Sequence, residues 1–217
     1  MLNGLIVVSA FILLSILLYF EKRRRQKYIL PVKSILSTLF VLTVLVQPHP
    51  ICRYYHFLLA GLILCLAGDV FLALPQKKMF LYGLFSFLSG HIIYIFAFLS
   101  LEKAGPDLWI VLLIIMLVSG AFYHWLVSYL GSMKIPVLLY VVVISIMLVA
   151  AWSVMGNLSL LPSGRTMIVA GAFSFYLSDM FVARDRFYKR EFLNRLVGLP
   201  LYYTGQFLFS FSVGLLK

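Results

Sequence analysis

Residues 54–74 read YYHFLLAGLILCLAGDVFLAL, an apolar run of 21 residues that contains a single carboxylate, Asp69. A helix rises about 1.5 Å per residue, so about 20 mostly apolar residues cross the hydrocarbon core of a bilayer. Backbone groups in hydrocarbon must be satisfied within the segment, which makes a run of this length a helix. The stretch therefore predicts a membrane-spanning helix that buries one aspartate.

Similar apolar runs follow one another along the whole chain. Of its 217 residues, 63% are apolar and 12% are charged, and a soluble domain of this size could not hide so much apolar surface. The connections between the runs are short. The sequence predicts an all-α polytopic membrane bundle, one integral membrane domain over residues 1–217, with eight transmembrane helices at 2–20, 32–47, 54–74, 80–99, 107–127, 135–155, 166–183 and 198–216.

The basic residues fall on alternate connections. The formal net charge is +11, and the two basic blocks, EKRRRQK at 21–27 and RDRFYKREFLNR at 184–195, both lie between predicted spans. If connections alternate between two sides, 14 of the 18 Lys and Arg residues share one side. The positive-inside rule places that side in the cytoplasm and both termini outside, in a bacterial cytoplasmic membrane or an endoplasmic reticulum membrane. We expect these charges to set the orientation, and we expect no nucleic-acid partner.

The two halves of the chain resemble each other. AGDVFLA (67–73) in the first half matches LSDMFVA (177–183) in the second at Asp, Phe and the closing Ala. SGHIIYIFAF (89–98) in the first half corresponds to TGQFLFSFS (204–212) in the second, at a similar separation along the chain. The order predicts two parallel four-helix repeats, 1–104 and 105–217, related by an axis along the membrane normal. Chance similarity between apolar segments is the alternative. In such a repeat, Asp69 and Asp179 are equivalent and face each other near the axis.

Polar side chains gather at one depth of the predicted membrane. Counted at 1.5 Å per residue, the half nearer the basic connections holds Asp69, Asp179, His91 and Gln206. Tyr94 shares a helical face with His91, and Tyr202 shares one with Gln206. Intramembrane ionisable groups usually face the bundle interior and mark function. This set therefore predicts a functional site in the half of the membrane that faces the cytoplasm.

Several other interpretations of these residues stay open at this level. Each carboxyl could be structural and hydrogen-bond a neighbouring helix, and Lys33 could simply extend to the membrane surface. A metal could join His91 and His124 to the aspartates, but no ligand spacing such as HExxH occurs, and we expect neither a metal nor a cofactor. An intramembrane aspartyl protease would carry GxGD, where this chain reads LAGD and YLSD.

Four fragments together resemble a known family: GDVFLAL (68–74), GLFSFLSGHIIYIFAF (83–98), FYLSDMFVARDRF (175–187) and YYTGQFLF (202–209). They are similar to the YhhN-like lysoplasmalogenase family of eight-span membrane proteins, closely over the last six spans and loosely over the first two. The resemblance implies hydrolysis of the vinyl-ether bond of lysoplasmalogens, with a lysophospholipid as substrate. It also implies that Asp69 and Asp179 stand at the family's two signature aspartates, and His91 and Gln206 at its other polar positions.

The residue types suit that chemistry. A vinyl ether opens by protonation at carbon to an oxocarbenium-like cation, which requires a neutral acid and a nearby negative charge. Two carboxylates in a low-dielectric site can divide these roles, so we predict Asp69 and Asp179 as the catalytic pair, without assigning the acid. The predicted substrate-binding residues are His91, Gln206, Tyr202, Tyr94, and, for the phosphate, Lys33, Arg184 and Arg186. The alternative from another class is a proton-coupled transporter or lipid flippase, since repeats and buried aspartates suit it equally.

Overall fold

The computed structural model describes residues 2–103, 105 and 107–217, apart from the side chain of Lys77. All regular structure in these residues is helical. The long helices in chain order are α1 (Leu2–Lys22), α2 (Gln26–Val46), α3 (Cys52–Ala73), α4 (Lys77–Leu99), α5 (Leu108–Leu126), α6 (Lys134–Ser153), α7 (Pro162–Ala183) and α8 (Phe192–Ser212). The prediction of an all-α bundle of eight long helices is confirmed for the part of the chain that the structure describes.

Seven helices, α1 to α7, are long and apolar enough to cross a membrane. Helix α8 has a sufficient length of 21 residues, but its sequence is more polar than that of the others. Most of its polar side chains are buried in the bundle, namely Asn194, Tyr202, Tyr203, Gln206, Ser210 and Ser212. The polarity of α8 therefore reflects a face that packs inward, and its crossing of the membrane stays a prediction.

Helices α2 and α8 each begin six residues before the predicted span. The extra residues, 26–31 and 192–197, include polar and charged side chains. Hydropathy marks the apolar part of a helix and omits such polar turns, which explains the difference. Each helix also continues through a proline, Pro31 or Pro200, at the loss of one main-chain hydrogen bond.

Alternate connections lie at opposite ends of the bundle. At one end the two basic blocks meet, because Arg195 forms an ion pair with Glu21. At the other end, Gln47 Nε2 donates a hydrogen bond to Asn3 Oδ1 at 3.1 Å, and the Leu216 carbonyl accepts one from the α6–α7 connection. Both termini therefore lie at the end away from the basic blocks, which we call the far end. The opposite end is called the basic end.

Glycines bring two helix pairs into close contact. A Cβ added at Gly90 of α4 would lie 3.2 Å from the Gly61 carbonyl oxygen of α3, and one added at Gly205 of α8 would lie 2.8 Å from that of Gly171 in α7. Small residues allow helix axes to approach in this way. The predicted repeats would pair Gly61 with Gly171 and Gly90 with Gly205, so each contact would be the counterpart of the other, although the repeat itself stays a prediction.

Gly205→Ala is expected to destabilise the protein by about 1–3 kcal/mol, because the new methyl group meets backbone that cannot move aside. Gly120→Ala in α5 is the control, since nothing lies within 4 Å of an added Cβ there. That change should be neutral or stabilise by up to about 1 kcal/mol, the helix preference of Ala over Gly. Thermal unfolding of both variants in one detergent tests this, and an unchanged melting temperature for Gly205→Ala would contradict the close packing.

Candidate active site

A cavity of about 560 Å³ leads into the bundle from the basic end. Phe80 of α4 and Arg186, which follows α7, stand near its mouth, and Asp69 of α3 and Asp179 of α7 line its inner part. All eight long helices contribute at least one residue to the wall. Both carboxylates that the sequence singles out therefore face the same enclosed space.

Asp69 is almost completely buried and is surrounded by donors. Lys33 Nζ lies 2.9 Å from its Oδ1. Its Oδ2 accepts hydrogen bonds from the Ser37 hydroxyl at 2.5 Å and the Tyr202 hydroxyl at 2.6 Å. Lys33 and Ser37 are four residues apart on α2 and therefore share the face that meets α3. One ammonium and two hydroxyls therefore converge on a single carboxylate.

Asp179 has different surroundings. The Tyr140 hydroxyl of α6 donates to its Oδ2 at 2.7 Å, and His91 Nε2 of α4 lies 3.3 Å from the same oxygen. His91 Nε2 also lies 3.2 Å from the Tyr140 hydroxyl, so the three groups form a closed triangle. The described residues include no Lys or Arg paired with Asp179, and its side chain keeps 16% exposure. The two carboxyls therefore share a cavity but differ in charge environment.

Three predicted substrate-binding residues lie one layer behind the cavity wall. The Tyr94 hydroxyl donates to Gln206 Oε1 at 2.8 Å, and Gln206 Nε2 donates to the Tyr202 hydroxyl at 3.2 Å. Tyr94, Gln206 and His91 are fully buried and none of them lines the cavity. Tyr94 and Gln206 thus orient Tyr202 toward the site, and His91 contacts the Asp179 carboxylate. Tyr202 itself lines the cavity.

The structure separates the three basic residues predicted to hold a phosphate. Lys33 is buried in the ion pair with Asp69, so the alternative that it extends to the membrane surface is wrong. Arg184 does not line the cavity and lies 3.7 Å from Glu191. Arg186 does line it, and its guanidinium stacks 4.1 Å from the centre of the Phe80 ring.

Ser37 and Tyr140 contact the two aspartates but were not among the predicted site residues. Ser37 lies one helical turn after Lys33, and helical spacing from that residue is a signal that could have found it. Tyr140 lies in the apolar run of α6, and its contact with Asp179 spans 39 residues of sequence. Within the described residues, no three His, Cys, Asp or Glu side chains are grouped as a metal site would require.

Apolar helices of spanning length around a buried cavity with two carboxylates define a multi-pass membrane protein with an internal polar site. The chain belongs to the YhhN family, whose family model matches residues 6–213. No solved structure matches it.

Curated relatives share one name. The chain is 31% identical over 162 residues to a lysoplasmalogenase of Mycobacterium tuberculosis (strain CDC 1551 / Oshkosh), which covers 72% of this chain and 58% of the relative. It is 34% identical over 160 residues to lysoplasmalogenase TMEM86B of Rattus norvegicus, covering 73% and 62%. It is 29% identical over 157 residues to lysoplasmalogenase TMEM86A of Bos taurus, covering 70% and 62%. The chain thus spans about three fifths of the length of these relatives.

Proposed function

We propose that this protein hydrolyses the vinyl-ether bond of lysoplasmalogens, releasing a fatty aldehyde and a glycerophospho-base. The observation that carries the proposal is that Asp69 and Asp179 line one cavity in unlike electrostatic surroundings. A shared site with one stabilised negative charge and one separate proton carrier is what vinyl-ether protonation requires. The names of the relatives agree with this activity.

Asp179 is the proposed acid. Protonating Asp69 would leave the Lys33 ammonium buried without its counter-charge, which is strongly unfavourable. Asp179 has no such partner among the described residues, and only its Oδ2 is engaged by Tyr140 and His91. Its Oδ1 can therefore carry a proton and deliver it to the outer carbon of the vinyl ether. The proton moves to carbon as the double bond becomes an oxocarbenium ion.

Asp69 is the proposed stabiliser of that cation. Its carboxylate stays ionised through the chemistry, and preorganised charge next to a developing opposite charge is an effective source of catalysis. Water then adds to the cation and gives its proton back to the Asp179 carboxylate. The resulting hemiacetal breaks its bond to the glycerol oxygen, yielding the aldehyde and the glycerophospho-base. Together the steps consume one water.

The cavity also has a lining that suits a lysolipid. The part of the cavity wall formed by α5 and α6 includes Phe122, Val137 and Ile144, whose apolar side chains suit an alkenyl chain. Arg186 and Arg190 line the wall and suit a phosphate at the membrane surface. The bond to be cleaved would then lie below the phosphate, beside the carboxylates.

The test is aldehyde release by the purified protein from a 1-alkenyl lysophospholipid, with a 1-acyl lysophospholipid of equal chain length as control. Protonation at carbon can be tested separately by isotope incorporation. In D₂O, the aldehyde should carry one deuterium on the carbon next to the carbonyl when it is trapped at once by reduction. Absence of aldehyde would refute the proposal. The transporter or flippase alternative predicts no aldehyde, and none of the relatives described above is named as either.

We also propose that the basic end faces the cytoplasm, on the strength of the positive-inside rule. The functional site would then open toward the cytoplasm, with both termini on the other side. With the native Cys52 and Cys65 replaced by Ser, single cysteines in place of Arg25 and Arg190 should react with a membrane-impermeant maleimide only after the cells are opened. A cysteine in place of Asn3, at the far end, should react in intact cells. Labelling with the opposite pattern would reverse the orientation.

A further inference from the structure

An acidic corner lies in the wall of the cavity at the basic end. It consists of Glu21 at the end of α1, Asp185 just after α7, and Asn194 and Arg195 in the first turn of α8, and all four line the cavity. Arg195 pairs with Glu21, and its Nε donates to Asp185 Oδ2 at 3.3 Å. Two carboxylates against one guanidinium leave the acidic corner with a net charge of −1.

Two oxygen atoms of the acidic corner lack a donor. Asn194 is 2% exposed, and its Nδ2 donates to the Lys189 carbonyl at 2.8 Å, which fixes its Oδ1 as the free atom. Among the described residues, neither Asn194 Oδ1 nor Asp185 Oδ1 has a hydrogen-bond partner, although both are buried. Buried acceptors in folded proteins are nearly always paired. A donor supplied from the cavity would complete them.

We infer that the acidic corner binds the primary ammonium of an ethanolamine head group, and that the protein therefore prefers lysophosphoethanolamine to lysophosphocholine. The identity of the ligand as a lysolipid rests on the proposed function. An ammonium brings three N–H donors and one positive charge, which match the two free oxygens and the net charge of −1. A trimethylammonium brings the same charge but no donor, and would leave both oxygens unpaired.

One aromatic face that could favour choline, that of Phe80, is already occupied by an arginine. Quaternary ammonium groups bind best over aromatic faces. The Phe80 ring lines the cavity there, but the Arg186 guanidinium already stacks on it at 4.1 Å. A choline head group placed on the Phe80 ring would have to displace that arginine, whereas an ethanolamine head group in the acidic corner leaves it in place.

The acidic corner stands at a suitable distance from the reacting bond. Asp185 follows Asp179 by six residues along α7 and the single π-helical turn at 184–188, a separation of about 9 Å along the axis. In a lysoplasmalogen, the glycerol, the phosphate and two further carbons separate the vinyl ether from the amine, and a bent head group spans a comparable distance. Arg186, adjacent to Asp185, would then lie close to the phosphate of the bound lysolipid.

Glu191 provides a matched control in the same connection. It does not line the cavity. Lys189 hydrogen-bonds its carboxylate at 2.5 Å and so lowers the pKa of Glu191 below its usual value, while Glu191 raises the pKa of Lys189. Glu191 is thus ionised at neutral pH, and Glu191→Gln removes one negative charge just as Asp185→Asn does, but outside the acidic corner.

The experiment measures binding of two non-hydrolysable 1-O-alkyl lysolipids, the phosphoethanolamine and its N-trimethyl analogue, to the purified full chain in one detergent. The wild type should bind the phosphoethanolamine at least about tenfold more tightly, the scale of hydrogen bonds to a charged group. Asp185→Asn and Asn194→Leu should each move that affinity ratio toward one. Glu191→Gln should leave the ratio unchanged. Melting temperatures show whether each variant is folded. If Asn194→Leu unfolds, the nearly isosteric Asp185→Asn alone decides the test.

Equal binding of the two lipids by the wild type, or an unchanged ratio in folded Asp185→Asn, would overturn the head-group inference. Failure of both lipids to bind would overturn it as well. The aldehyde assay separates it from the proposed function. A preference for the ethanolamine lipid without aldehyde release would refute the hydrolase and support the acidic corner as the ammonium site. Aldehyde release with equal binding of the two lipids would support the hydrolase and refute the head-group inference.

Discussion

Asp179→Asn is expected to reduce aldehyde release at least about 10²-fold, the scale of general acid participation, while the protein stays folded. Asparagine is nearly isosteric, and its carbonyl oxygen can still accept the hydrogen bond from Tyr140. It cannot hold a transferable proton on the atom that faces the vinyl ether. Since Asp179 has no Lys or Arg partner among the described residues, its replacement leaves no lysine or arginine unpaired.

The control for this variant is Asp107→Asn. Asp107 lies near the far end, where its Oδ2 accepts a hydrogen bond from Trp152 Nε1 at 2.9 Å. The same chemical change is made there, away from the cavity, so aldehyde release should stay near the wild-type rate. Initial rates in detergent, normalised to folded protein by thermal unfolding, provide the comparison. Turnover by Asp179→Asn close to that of Asp107→Asn would exclude Asp179 as the acid.

Asp69→Asn is expected to remove activity and also to destabilise the protein by about 3–5 kcal/mol, the usual effect of breaking a buried ion pair from one side. The Lys33 side chain is 11% exposed and the Asp69 side chain 1%, so little solvent reaches the ammonium that is left behind. From the sequence alone, stability is expected to change little or even to rise, because a costly buried charge is removed. The ion pair with Lys33 reverses that expectation.

The double variant Lys33→Met, Asp69→Asn separates the two effects. Removing both charges leaves no buried ion, so much of the lost stability should return. Activity should not return, because nothing then stabilises the oxocarbenium ion. Melting temperatures and aldehyde release are measured on the wild type, both single variants and the double variant. An unchanged melting temperature in Asp69→Asn would refute the pairing, and an active double variant would refute the role of the Asp69 charge.

The sequence by itself determined the helices and indicated that Asp69 lies in the interior of the bundle. Hydrocarbon leaves the backbone no other partner than itself, so a run such as 54–74 becomes a helix whatever its neighbours are. The same solvent excludes a lone carboxylate, which is why Asp69 could be assigned to the interior without a structure. Where a helix extends past its apolar part, as α2 does over 26–31, hydropathy no longer marks it, and the predicted span therefore began six residues too late.

Only the tertiary structure decided which groups meet. Lys33 of α2 pairs with Asp69 of α3, and Tyr140 of α6 donates to Asp179 of α7. Both contacts depend on the rotation and offset at which whole helices pack. Those angles come from the sum of many small contacts, such as that of Gly205 with Gly171, and leave no periodic pattern in the chain. Two aspartates that look equivalent in sequence therefore acquire unlike surroundings, because the partners of a buried charge are set by packing rather than by spacing along the chain.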